Sequence, residues 1–97
     1  MRWPSAGQSR AVPGNVTTVM SVGTIVLVTL NNGSGQLLCG SVPQFWLDTS
    51  TSSGQAQLAL AITAKTTGGQ VYVQGNGTCT AAYPYNNTEQ LYALNLE

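Results

Sequence analysis

The chain has 97 residues, 42% of them hydrophobic and only 6% charged, with no histidine and a formal net charge of zero. That balance describes one small folded domain, because disorder requires low hydrophobicity together with high net charge. Its three basic residues, Arg2, Arg10 and Lys65, are too few to release the counterions that drive nucleic-acid binding, so no nucleic-acid partner is expected.

Residues 1–14 hold Pro4, Gly7, Pro13 and Gly14 without hydrophobic periodicity and read as a flexible arm, leaving residues 15–97 as a single domain. The arm has no continuous apolar stretch of the kind a secretory leader uses, so Met1 reads as heading an already trimmed chain; Leu96 and Glu97 are compatible with a vector-derived tail. Residues 16–30, VTTVMSVGTIVLVTL, are dense in β-branched side chains, which crowd a helix and suit a pleated strand. Fifteen residues is long for one flat strand, and Gly23 sits where the strand would curve or break. From Thr24 to Leu30 both faces are largely apolar, which places this part between the core and a covering layer. The run is far shorter than the roughly 20 residues of a membrane-spanning helix, and no membrane insertion is expected.

Residues 31–35, NNGSG, read as a hairpin loop, since Asn and Gly tolerate positive φ; QLLCGSV at 36–42 is then the return strand. A third extended piece, PQFWLD, carries Phe45, Trp46 and Leu47, which suit core and end packing better than a ligand platform. Residues 50–69, STSSGQAQLALAITAKTTGG, form the one helix candidate. Ser52 and Gln55 have capping-box spacing, and Gly68 and Gly69 supply the C-cap. Leu58, Ala61, Ile62 and Lys65 fall at helical spacing for a sheet-facing stripe, with Lys65 also suited to the helix dipole. QVYVQGNG then alternates as a half-buried strand, and QLYALNL closes the chain as another. Three strands, a helix and two strands is the order of a mainly β, five-stranded OB-like Greek-key barrel; an open sheet with one covering helix is the competing architecture.

Cys39 and Cys79, 40 positions apart, match no metal-site spacing. In a reducing compartment they would be two buried thiols. The neutral, Ser-, Thr- and Asn-rich composition favours a disulfide, and with it a secreted, periplasmic or cell-surface location.

VGTIVLVTLNNGSGQLLC, the helix ending in TTGGQVYVQGNGTC and the closing EQLYALNL resemble a group of small secreted bacterial proteins similar to the binding subunits of pentameric toxins, the subtilase-cytotoxin type in particular. The resemblance covers roughly residues 22–96. It implies a barrel that assembles into rings and binds glycans, but no sugar-contacting residue of that group aligns onto this chain.

Chemistry is sparse. Without histidine the commonest general base is missing, and Asp48 and Glu89 could act as a glycosidase pair only if the fold brought them to the needed separation. A Ser–Lys dyad would need Lys65, which has an ordinary place at a helix end. No catalytic residue, metal or cofactor is expected. Recognition of a neutral ligand survives. Tyr83, Tyr85, Asn86 and Asn87 offer aromatic faces and amides on one loop held by Cys79; the competing reading is a turn-rich connection whose tyrosines cover the sheet end. Asn-X-Ser/Thr sequons stand at Asn15, Asn32, Asn76 and Asn86 and would mark exposed loops only in a eukaryotic protein. The sequence thus reads as a non-enzymatic, secreted or surface-associated bacterial β-barrel protein of unassigned binding role, such as a surface antigen, with a glycan or a host protein as partner. The alternatives are a glycan-binding toxin-subunit-like module and a secreted hydrolase inhibitor acting through residues 31–35.

Overall fold

A computed structural model describes residues 10–31, 39 and 43–96. Among them, five strands form one sheet with a single helix: β1 Arg10–Val22, β2 Ile25–Leu30, β3 Gln44–Asp48, α1 Ser52–Thr67, β4 Gln70–Thr80 and β5 Thr88–Leu96. Hydrogen-bonded neighbours run β1-β2-β3-β5-β4, and β4 returns to β1 through pairs from Arg10↔Gln74 to Asn15↔Gln70. All pairs are antiparallel except β3 with β5.

The expected element order holds, but its first two strands come from other residues. Gly23 ends the first strand: it takes φ 64° at the first position of a two-residue turn closed by Val22↔Ile25. Glycine at that position with positive φ matches the right-handed twist of the flanking strands. Residues 16–30 are therefore a hairpin. The loop expected at 31–35 and the return strand expected at 36–42 lie outside the described residues, apart from Asn31 and Cys39. β1 also begins earlier than composition suggests, so residues 10–14, expected within the arm, pair with β4. Pro13 is accommodated because the register shifts between Ala11 and Gly14, and a bulge needs no ladder donor there.

β2 is buried on both faces, as its composition implied. Val26, Val28 and Leu30 join Phe45, Leu47, Val71 and Val73 in the main core, while Ile25 and Leu27 pack on the opposite side with Trp46 under Tyr85.

The N-cap of α1 lies one residue before the expected box. Thr51 is the N-cap, its Oγ1 accepting the Gly54 N–H at 2.9 Å while its O–H donates to the Asp48 carbonyl at 2.9 Å. Gln55 reaches back instead to the Thr49 carbonyl at 3.0 Å. The sheet-facing stripe is made of small residues, Gly54, Ala61 and Ala64, with Leu58 half-buried. Ile62 and Lys65, expected on that stripe, point to solvent, Ile62 being 49% exposed. Close approach explains the exchange: a Cβ at Gly54 would overlap the Asp48 carbonyl, so the first turn sits directly against the end of β3 and leaves no room for a branched side chain. At the other end Gly68, at φ 72°, and Gly69 both donate N–H to the Ala64 carbonyl. Asn15 Nδ2 then donates to the Gly68 and Gly69 carbonyls at 2.8 and 3.2 Å, tying the helix end to β1.

Candidate functional site

Two irregularities between β4 and β5 shape the site. Gly75 pairs with Leu91 and Cys79 with Glu89, so four steps on β4 oppose two on β5 and residues 76–78 bulge out. Gly77 takes φ 89° in that bulge, Asn76 Oδ1 accepts the Thr78 N–H at 2.9 Å, and Asn76 Nδ2 donates to Gln90 Oε1 at 2.7 Å. The second irregularity leaves Tyr92 as an extra residue of β5, since Gln74 pairs with Ala93 and Gly75 with Leu91. It explains how Leu91 and Leu94, three apart, both reach the core.

The bulge holds the carboxylate of Glu89, which is 1% exposed. Its Oε2 accepts the Gly77 N–H at 2.6 Å, and the carboxylate lies over Gly75, where any Cβ would collide with it. Burying a carboxylate costs heavily unless donors meet it, and the turned-out backbone of the bulge supplies one.

Beside the bulge the sheet opens. β3 and β5 pair only at Phe45↔Glu89 and Trp46↔Gln90. Past that point a cleft of about 200 Å³ lies between the end of β3, the first turns of α1, Asn76 and β5. Leu47 and Leu91 give it an apolar part. Thr51, Ser53, Gln57, Asn76 and Gln90 line it with uncharged polar groups, and Tyr92, 63% exposed, stands at its rim. Gln57 is held in place by donation from Nε2 to the Tyr92 carbonyl at 2.8 Å.

Among the described residues Asp48 is the one carboxylate of the lining. The Ser50 backbone N–H, 2.9 Å from Oδ1, holds its carboxyl below the usual carboxylate range; the Ser50 side chain adds to this, and slight desolvation opposes it. A folded pKa below the unfolded value means stabilisation that is complete above the unfolded value and lost as pH falls through the folded one. Wild type should therefore exceed Asp48→Asn in urea midpoint at neutral pH. The difference should shrink as the pH falls through the usual carboxylate range and vanish only below the lowered folded value, as paired urea titrations across the acid range will show.

The loop singled out from sequence lies apart from the cleft. Tyr85 packs its ring on Trp46, centroids 4.6 Å apart, while Tyr83 is 81% exposed. Tyr83–Pro84 is a cis peptide in a turn closed by the Tyr85 N–H on the Ala82 carbonyl at 2.8 Å, and Thr88 Oγ1 donates to the Tyr85 carbonyl. Asn86 and Asn87, at φ 59° and 54°, supply left-handed backbone that Asn tolerates better than other non-glycine residues. None of the four lines the cleft. Sequence reasoning in turn missed Gln57, Asn76, Gln90 and Tyr92. The sequence signals only the irregularities that gather them: Asn76-Gly77 marks a turn or bulge, and the three-residue spacing of Leu91 and Leu94 breaks strand alternation.

Cys39 and Cys79 form the expected disulfide, with a Cα–Cα distance of 5.9 Å. It fixes residue 39 to β4 at the far edge of the bulge, opposite Glu89. Asp48 and Glu89 fall on opposite faces of the sheet: Glu89 is in register with core-facing Phe45, whereas Asp48 shares the outward side of β3 with Trp46. Among the described residues no three metal-ligating side chains cluster, and no helix is long and apolar enough to cross a membrane. Two sequon amides, those of Asn15 and Asn76, are already engaged as donors, and the hydroxyl of a third sequon belongs to Thr88, bonded to Tyr85. Compared with family models, curated proteins and solved structures, the chain matches none.

Proposed function

We propose that this chain is a non-catalytic binding domain, an OB-like Greek-key barrel working outside the cytoplasm, whose cleft takes a neutral polar ligand of saccharide type. The observation that carries this reading is the cleft lining: amides and hydroxyls from Thr51, Ser53, Gln57, Asn76 and Gln90 converge beside an exposed tyrosine, with one carboxylate and no cation among the described residues. Sugars present hydroxyls that both donate and accept, together with C–H faces that pack on aromatic rings. Amides and a carboxylate answer the first, and Tyr92 the second. Pre-set side chains favour binding, because Gln57, Asn76 and Gln90 are already held by hydrogen bonds and lose little freedom. At about 200 Å³ the cleft is smaller than the roughly 300–1,000 Å³ of sites for drug-sized ligands, which suits a single ring or a chain end.

The strand order β1-β2-β3-β5-β4 with a helix between β3 and β4 supports the barrel reading, and the disulfide supports an oxidising compartment. With the two carboxylates on opposite faces, the paired chemistry of glycoside hydrolysis has no support. The cleft reading does not depend on the ring assembly that the toxin-subunit resemblance implies.

A glycan array probed with the labelled protein, followed by calorimetry on its best ligand, tests the proposal. Tyr92→Ala should weaken binding by about fivefold, in line with roughly 1 kcal/mol for an aromatic contact, without unfolding an exposed site. Binding to no glycan, or binding indifferent to Tyr92→Ala, would remove the reading.

A further inference from the structure

β1 pairs with β4 only up to Asn15 and with β2 from Val16 onward. On the side away from β2, residues 17–22 therefore meet no described strand. Val22 and Ile25 close the two-residue turn, so the N–H and C=O groups of Val22, Met20 and Thr18 point toward β2. Alternation aims those of Val19 and Ser21 outward. Natural edges carry guards against pairing, such as lysine, proline or inward charge. This edge reads TTVMSV, and between Arg10 and Asp48 the chain has no charge at all. Thr17, Thr18 and Ser21 are exposed, and Met20 is 42% exposed on the side next to Leu27.

We propose that this edge pairs with the same edge of a second copy, extending the sheet across a two-fold axis. The occupant follows from self-complementarity. In an antiparallel register centred on Met20, Val19 of each copy faces Ser21 of the other, so the outward N–H and C=O groups of these two residues find their partners. Met20 then lies against its mate at the closer, non-hydrogen-bonded spacing, and Thr18 faces Val22. A two-fold contact places each residue near its own copy, which penalises any charge on the patch. A neutral strand on a molecule of zero net charge carries no such penalty. A single strand edge falls short of the roughly 1,600 Å² of a standard stable interface, so the dimer is weak and concentration-dependent.

Sedimentation velocity over a wide concentration range tests this with the full chain. The wild-type mass is expected to rise from 10.1 kDa toward twice that value. Met20→Lys sets two ammonium groups against each other while changing a side chain already in solvent. It should stay monomeric throughout, with an unchanged circular dichroism spectrum. Ser21→Pro removes one outward donor and should weaken the dimer at least tenfold. Amide hydrogen exchange at Val19 and Ser21 should slow as wild-type concentration rises. A wild type that remains monomeric, a dimer that both variants leave intact, or a ring of five would each overturn the proposal.

Discussion

Replacing Cys39 and Cys79 together by alanine is expected to lower the unfolding free energy by about 4 kcal/mol, the chain-entropy cost of opening a loop closed over 40 positions. For a domain of this size each kcal/mol moves the melting midpoint by roughly 4–8 °C, so Tm should fall by roughly 15–30 °C. Few other single features could matter as much. A 97-residue chain buries only about two-thirds of its unfolded surface and carries little reserve. The bridge also has a local task, since Cys79 stands opposite Glu89 at the point where β4 resumes pairing after its bulge. Thermal melts of the double variant, and of reduced and alkylated wild type, should agree. A fall of only a few degrees would mean that other contacts already confine the chain around residue 39.

Gly75→Ala is expected to cost about 3 kcal/mol, the upper part of the usual range for forcing an extra methyl into a filled site. Gly75 takes no positive φ, so the demand for glycine comes from space: a Cβ would occupy the volume of the Glu89 carboxylate. The carboxylate cannot retreat easily, being buried and bonded to the Gly77 N–H. Glu89→Ala removes the obstruction and leaves the Gly77 donor without that acceptor, which costs about 1–3 kcal/mol by itself. In the Glu89→Ala background the added methyl of Gly75→Ala should cost less than about 1 kcal/mol, giving a coupling near 2 kcal/mol. Urea denaturation of the four proteins measures it. Equal costs of Gly75→Ala in both backgrounds would mean that the carboxylate does not set the requirement.

β-branched density from Val16 to Leu30 correctly identified extended chain, and two apolar faces on β2 correctly implied a second layer, filled by Ile25, Leu27, Trp46 and Tyr85. Gly23 marked the break in that run, but the branched residues on both sides did not show that the break is a two-residue turn between paired strands. Pro13 and Gly14 suggested irregular chain because a bulge is decided by what lies across from it, here Val71 and Val73 of β4. The helix ends were nearly legible: local chemistry fixes Gly68, whereas the choice of Thr51 over Ser52 depends on the Asp48 carbonyl that Thr51 reaches. Cys39–Cys79 was legible from composition. The cleft was not, because Gln57, Asn76 and Gln90 are scattered in sequence and ordinary in type. Only the divergence of β3 from β5 and the bulge bring them together.

Side-chain amide shifts, recorded by nitrogen–proton NMR while the folded protein is titrated with its best array glycan, test the location and nature of the binding site together. The Nδ2 and Nε2 signals of Asn76, Gln57 and Gln90 should move in a saturable way while those of Asn86 and Asn87 stay still, placing the ligand in the cleft. Movement at Asn86 and Asn87 with the cleft amides unchanged would return the site to the loop after β4 and contradict the cleft as the place of binding.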